Sequence, residues 1–355
     1  MSANFAFYVH HHGSGHVMRA IAIASRLKDS TIYFMGSDLA RYQHLIPAHI
    51  QCYHLPGDVA QGDDHFARSA ELDFLHYAPL NVPNALKRTA MISGILSELF
   101  PVLLVVDVSV EVTMLAALCG VPTVVIRQNG NRNDLPHLNA YQSAQKLIAP
   151  SPMTLMNRSD YHWVEEKTFF SGGFSRYNGA REVALQMVAD AVGVLTGSGG
   201  TSINALFINL LSAQCPDKTF HILGKIEDTA QLSNPNLIVH GMVANPAEIL
   251  SACEVVIGNA GHNTVMEMAE LDKRFICVYE DRPFEEQQLK AQLLAKHQMA
   301  IVINGNEILQ ANWNTLFNQA KNLRTSRWNG VIDPDAIEKI SEELHHQWQK
   351  QFSAL

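Results

Sequence analysis

The 355-residue sequence lacks most of the features that would take it out of the class of large globular chains. It has five cysteines (Cys52, Cys119, Cys215, Cys253, Cys277), and no two show the C-x-x-C spacing of a metal or redox site. An odd, scattered set argues against a disulfide framework and fits a reducing compartment. No run approaches the roughly 18 apolar residues needed to cross a bilayer. No transmembrane segment is therefore expected, although peripheral membrane contact stays open. The opening "MSANFAFYVHHHGSGH" lacks the basic n-region of a secretory signal. Together these absences lead to an expectation of cytoplasmic residence. Charged residues are only 17% of the chain and the net charge is −8. A polyanion would meet a surface of its own sign, so a nucleic-acid partner is not expected. Low-complexity segments and short-period repeats are also missing.

What is present is apolar and regular. Hydrophobic residues make up 47%, enough for a large core, and the length favours two domains over one. Short apolar runs alternate with helical patterns throughout, as in "FAFYV" before "HVMRAIAIASRL", and "PVLLVVDVS" before "VEVTMLAALCG". Such alternation indicates βαβ units and parallel sheets. The expected architecture is α/β, with two doubly wound Rossmann-like domains facing a cleft. Residues 1–155 form the first and residues 189–330 the second. Residues 156–188 read as a linker, and residues 331–355 as a final helix with Asp333 near its start. In doubly wound sheets ligands bind outside the carboxyl ends of the strands, so loops just after strands hold the candidate site.

The first such loop is "HHHGSGHVMR". Gly13 and Gly15 permit a tight turn and close approach of the backbone to a ligand. The following helix offers N–H groups and a positive dipole end. His16 is a candidate general base, and a buried, hydrogen-bonded histidine is the plainer alternative. His10, His11 and His12 are consecutive and cannot all face one ion along a strand, so no metal site is expected there. Asp107 ends "LLVVD", where a carboxylate can orient His16 or cap the next helix together with Ser109. Arg127 and Asn129 lie in "RQNGNRND", which together with Gly13 and Ser14 is placed on the acceptor side; a solvated loop is the alternative.

The second half repeats the logic. In "LTGSGGTSIN", Gly197, Ser198, Gly199, Gly200 and Thr201 form a strand–turn–helix phosphate cradle, without the spacing of a Walker or dinucleotide fingerprint. In "VVIGNAGHNTVMEMAELDKRF", Gly261, His262, Asn263 and Thr264 open a helix suited to a diphosphate. Glu267 lies three residues on and faces the same side, where it can accept ribose hydroxyls. A capping box formed by Thr264 and Glu267 is the structural alternative. Gln287 can bond sugar hydroxyls, with Glu286 and Gln288 beside it.

These segments, "GSGHVMRAIAIASRL", "TGSGGTSIN" and "NAGHNTVMEMAELDKRF…EEQQLKA", resemble in order and separation the GT-B glycosyltransferases, especially the MurG-like branch. The resemblance implies a donor diphosphate at Gly261–Thr264, its ribose at Glu267 and its sugar at Gln287. It also implies a nucleobase against the backbone of Val243 with Met242 packed on it, His16 near the reacting centre, and a final helix crossing back to the first domain. The nucleotide-sugar is a substrate, and neither cofactor nor catalytic metal is implied. The sequence departs from the family at "EQQLKA", where Glu286 and Lys290 stand in the late motif, and at Asp272, where a glycine is common. "GSGHVMR" also resembles the nucleotide-sugar hydrolase of pseudaminic acid synthesis, while non-hydrolysing 2-epimerases fit worse. The resulting expectation is a metal-independent transferase moving a sugar from a UDP-sugar, or alternatively a dTDP-sugar, to an acceptor hydroxyl. A hydrolase and a non-catalytic nucleotide-sugar-binding protein are the competing readings.

Overall fold

A computed structural model describes residues 2–11, 14–60, 62, 72–177, 187–197, 199–243 and 245–353. In the first half, strands β1 (Ala3–Tyr8), β2 (Ser30–Gly36), β3 (Gln51–His54), β4 (Leu103–Asp107), β5 (Thr123–Ile126), β6 (Lys146–Ala149) and β7 (Thr168–Phe170) alternate with helices. Those helices are α1 (Ser14–Ala24), α2 (Pro83–Leu99), α3 (Val110–Leu118), α4 (Leu135–Ser143) and α5 (His162–Lys167). The second half holds β8 (Val188–Leu195), β9 (Thr219–Leu223), β10 (Leu237–Gly241), β11 (Cys253–Asn259), β12 (Arg274–Tyr279) and β13 (Ala300–Asn304). Its helices are α6 (Ala205–Gln214), α7 (Pro246–Ala252), α8 (His262–Glu270), α9 (Glu286–Lys296) and α10 (Trp313–Lys321), and α11 (Ala336–Phe352) ends the chain.

Among the described residues the strands form two sheets, ordered β3-β2-β1-β4-β5-β6-β7 and β10-β9-β8-β11-β12-β13. Every pairing is parallel. The expected pair of doubly wound α/β sheets is therefore the observed fold. In each sheet the strand order reverses once, between β1 and β4 and again between β8 and β11. Doubly wound sheets bind ligands at such a reversal, because the loops leaving the two strands diverge to opposite faces and open a crevice. The chain after β1, β4, β8 and β11 carries the His16, Asp107, Gly197–Thr201 and Gly261–Thr264 segments.

Both faces of each sheet are covered, which explains strands that read as unbroken apolar runs. Successive residues go to opposite faces: Phe5, Phe7 and Val9 enter one core, and Ala6 and Tyr8 the other. Helices α2, α3, α4 and α5 fill the second of these cores with Leu96, Ala116, Tyr141 and Val164. The other face is covered by α1 together with α11, through Ile340, Leu344, Trp348 and Phe352. The last helix of the chain thus packs against the first sheet.

The stretch 156–188, read above as a linker, needs correction. It contains α5 and β7, and β7 pairs with β6 as the edge of the first sheet (Leu147↔Thr168, Ala149↔Phe170). A three-residue strand is too short to show a period, which is why the apolar pattern did not reveal it.

Ile340 is fully buried between α1 and the first sheet. Ile340→Ala should cost about 2–5 kcal/mol of stability, read from the urea midpoint at unchanged slope. A loss within experimental error would mean that α11 contributes little to that core.

Candidate active site at the facing helix termini

β4 lies beside β1 in the first sheet, so Asp107, its last residue, stands next to the turn that opens α1. The His16 Nδ1 and Asp107 Oδ2 are 3.0 Å apart. Arg19, one helical turn after His16, grips the same carboxylate: Nε donates to Oδ2 at 3.1 Å, and Nη2 to Oδ2 and Oδ1 at 3.0 and 3.2 Å. Gln128 Nε2 donates to Oδ1 at 3.3 Å. The capping alternative fails, because Ser109 alone caps α3 by accepting from the Val112 N–H.

Burial pushes the Asp107 carboxyl up, but the Arg19 and His16 charges and hydrogen bonds outweigh it and hold it well below the usual carboxylate range. His16 Nδ1 lies 3.0 Å from Asp107 Oδ2 and 3.2 Å from Arg19 Nη2; the carboxylate can only accept and Nη2 is already within reach of both its oxygens, so we assign the proton to Nδ1, as donor to Asp107. This tautomer is assigned from the hydrogen-bond count. It leaves the lone pair on Nε2, the arrangement a general base requires.

Across the cleft, α8 begins at His262 with Gly261 as N-cap, and among the described residues no side chain caps it. Thr264 is the third helical residue, so the capping-box alternative fails as well. The first-turn N–H groups have no intrahelical partners and carry the positive end of the helix dipole. The two helix termini meet here: a Cβ added to Gly15 would lie 3.2 Å from Asn263 Nδ2. Glycine is what permits this approach. His262 is held well below its ordinary pKa by desolvation, then by the Lys290 and Arg19 charges. It is therefore neutral at neutral pH, a hydrogen-bonding group beside the α8 terminus.

Glu267, on the next turn of α8, is buried and paired to Arg176 Nε at 2.9 Å. The Tyr177 hydroxyl bonds the same carboxylate. Met242 is 80% exposed just past β10, while Val243 rests on the core of the second sheet. Gln287 is buried, with Oε1 accepting from the Glu280 N–H at 3.0 Å. Glu286 reaches Arg132 of the first half at 3.4 Å.

Residues 191–340 match the glycosyltransferase family 28 C-terminal domain. That stretch holds the second sheet and α8. This half of the chain is therefore similar to the glycosyltransferase family 28 C-terminal domain. Solved structures share the whole architecture. MurG of Acinetobacter baumannii matches at a TM-score of 0.62 and 18% identity over 98% of this chain and 100% of that one. The calicheamicin glycosyltransferase CalG4 matches at 0.70 and 14% over 99% and 100%. Phytolacca americana UGT2, solved with UDP-2fluoro-glucose and pterostilbene, matches at 0.66 and 11% over 99% and 100%. At these identities the likeness is one of fold, and the fold is GT-B. No curated protein matches in sequence. By its C-terminal domain, set in that fold, the enzyme is a glycosyltransferase.

Several candidates of the glycosyltransferase stand differently from expectation. Arg127 and Asn129, placed on the acceptor side, are buried supports. Arg127 bonds Thr168 Oγ1, Asn157 O and Glu165, and Asn129 bonds Leu155 O and the Asn157 N–H. Their polar atoms are used inside the first domain, tying β5 to the chain around β7. The Gly197–Thr201 loop does not open a helix: α6 starts at Ala205 and is capped by Asn204. Gly197, Gly199 and Gly200 are exposed, but Thr201 Oγ1 and both the N–H and hydroxyl of Ser202 donate to Glu280 Oε1 at 2.7–3.2 Å. A carboxylate therefore occupies part of the supposed phosphate cradle. Gly13 and Ser198 lie outside the described residues, and of Ser14 only the backbone, opening α1, is described.

The sequence reading missed Arg19, Glu280, Arg176, Phe284 and Lys290 as members of the site's framework. Arg19 had a signal, since i and i+3 share a helix face; the others come from distant segments. Phe284 and Glu285 both have positive φ (59° and 54°). They turn the Phe284 ring onto His76, His137 and Arg132 of the first half. Asp134 accepts from His76 Nε2 at 2.8 Å and His137 Nδ1 at 2.6 Å, and Arg132 Nη1 lies 2.8 Å from His137 Nε2. An open hollow of about 600 Å³ lies here, lined by His76, Asn131, Asp134, Pro136, Phe284 and others.

Lys290 is buried on α9, its Nζ donating to Leu155 O at 2.8 Å. Burial lowers its pKa to about 7, against the upward pull of Glu286 and Cys277. Between about pH 7 and the ordinary lysine value of 10.5, the unfolded chain holds a proton that the folded chain has shed. Stability carried by this group therefore rises with pH through that window, and below it the burden of a buried ammonium is complete. Wild type should gain on Lys290→Met as the pH is raised from 7 to 10 in urea unfolding series. Parallel stability curves would show that Lys290 stays charged when folded.

Proposed function

We propose that the enzyme moves a sugar from a nucleoside-diphosphate sugar to an acceptor hydroxyl, with UDP as the carrier and dTDP as the alternative. The observation that carries this reading is the pairing of two features across one gap. His16 offers a lone pair fixed by Asp107, and α8 offers an uncapped N-terminus. As the bond from sugar to phosphate breaks, negative charge grows on the diphosphate. Fixed N–H donors at Gly261–Thr264 lower the energy of that charge without reorganising, and the reading assigns this task to them rather than to a metal. His16 Nε2 takes the proton of the attacking hydroxyl, and Asp107 stabilises the imidazolium that results.

The remaining roles follow the MurG-like layout. Glu267 accepts the ribose hydroxyls, Met242 and Val243 bound the nucleobase, and Gln287 with Glu286 faces the donor sugar. The uridine nucleotide held by the Phytolacca enzyme on the same fold supports UDP as carrier. The hollow beside Phe284 opens toward an acceptor from the first half.

The test separates binding from turnover. UDP and UDP-sugars should raise the melting temperature, more than dTDP and its sugars do. Glu267→Ala should weaken UDP binding by about tenfold or more, as expected for hydrogen bonds to a charged group. His16→Ala should lower transfer by about 10²–10⁴-fold while leaving UDP affinity nearly unchanged. Normal turnover by His16→Ala would remove the base assignment. Rapid sugar release without any acceptor would make the enzyme a hydrolase, with His16 activating water. No stabilisation by any nucleotide at millimolar concentration would remove the donor site.

A further inference from the structure

The segment after β7 carries the chain from the first sheet to the second. Phe174 packs on the first domain's core and Tyr177 lies in the second's. Between them the segment is pinned: Gly173 N–H donates to Val331 O at 2.8 Å, and Asp333 N–H to Gly173 O at 2.9 Å. A Cβ on Gly173 would collide with Met266, the residue before Glu267. From this anchor Arg176 reaches the Glu267 carboxylate, and Tyr177 in turn steadies Arg176. Arg176 Nη2 donates to the Tyr177 hydroxyl at 3.0 Å, and the guanidinium lies 5.0 Å from the Tyr177 ring centre.

We propose that Arg176, with Tyr177, is a positioning residue for the donor ribose: it holds the Glu267 carboxylate turned so that its remaining lone pairs accept a 2′,3′-diol. The inference rests on the assignment of Glu267 to the ribose. A carboxylate offers about four lone-pair directions. Arg176 Nε fills one and the Tyr177 hydroxyl another, which leaves two for the diol. Without a cation a carboxylate this deeply buried would favour taking up a proton, which replaces one of its acceptor directions with a donor. Burial pushes the Glu267 carboxyl above its ordinary value, and Arg176, then Tyr177, offset only part of that rise. Lysine cannot replace this arginine fully, because a point charge cannot reach Glu267 and Tyr177 in one planar fork. Selection for the ribose 2′-hydroxyl is thereby set by the segment that joins the domains.

The experiment titrates UDP and 2′-deoxy-UDP into the full-length protein and its Arg176→Met, Arg176→Lys and Tyr177→Phe variants. The unmodified enzyme should prefer UDP by about tenfold, the worth of one hydrogen bond to a charged group. Arg176→Met should lose about tenfold for UDP and less than about threefold for 2′-deoxy-UDP, so that the preference collapses. Arg176→Lys should restore part of it. Equal losses for both nucleotides, or an unchanged preference, would overturn the proposal and leave Arg176 a structural link. If Arg176→Met fails to fold, the same ratio is read from Tyr177→Phe, where an unchanged preference overturns it equally. Binding of neither nucleotide by the unmodified enzyme is a different result: it removes the donor reading and this inference with it.

Discussion

A carboxylate taken out of water must be held by cations and hydrogen bonds, and the cleft is organised around one that is. Asp107 is buried where β4 ends, and Arg19, His16 and Gln128 all converge on it. Breaking one partner of such a group leaves an uncompensated charge, so the three partners fix one another. Through Arg19 the carboxylate sets how α1 sits against the sheet. Through His16 it sets which ring nitrogen faces the gap. The facing α8 terminus is aligned to this group from the other sheet, with Asn263 against Gly15.

Much of this was legible in the sequence. Apolar strands ending at Gly-containing turns gave the doubly wound fold, because period and turn chemistry are local properties. The proximity of His16 to Asp107 was open to inference for a related reason: neighbouring parallel strands end at the same edge. The opposite judgements failed where partners are distant. "RQNGNRND" looks like a polar loop, yet Arg127 and Asn129 are consumed by Asn157, Glu165 and Thr168. "TGSGGTS" looks like a phosphate cradle, yet Glu280, some 78 residues away, takes the Ser202 donors. β7 escaped notice because three residues carry no period.

Among the described residues several polar contacts join the halves, beside Leu155, which is buried in the second half's core. Lys290 and Asn129, from different halves, share the Leu155 carbonyl. Arg132 meets Glu286, and Arg176 meets Glu267. Phe284 adds a ring, held in the first half's histidine cluster by two residues of left-handed backbone. Such backbone is uncommon outside glycine and persists only where its surroundings over-determine it. Directional bonds thus add to the apolar seat of Leu155 in orienting the two sheets.

α11 has a consequence for how the molecule is made. Ile340, Leu344, Trp348 and Phe352 complete a core whose other members lie before residue 175. During synthesis the first sheet emerges early, but one of its faces keeps an apolar gap until α11, which follows the second sheet, has left the ribosome. Domains of a nascent chain usually fold in order of emergence. Here the first domain is finished only after the second has been made, and until then the apolar groove that α11 fills is open to water.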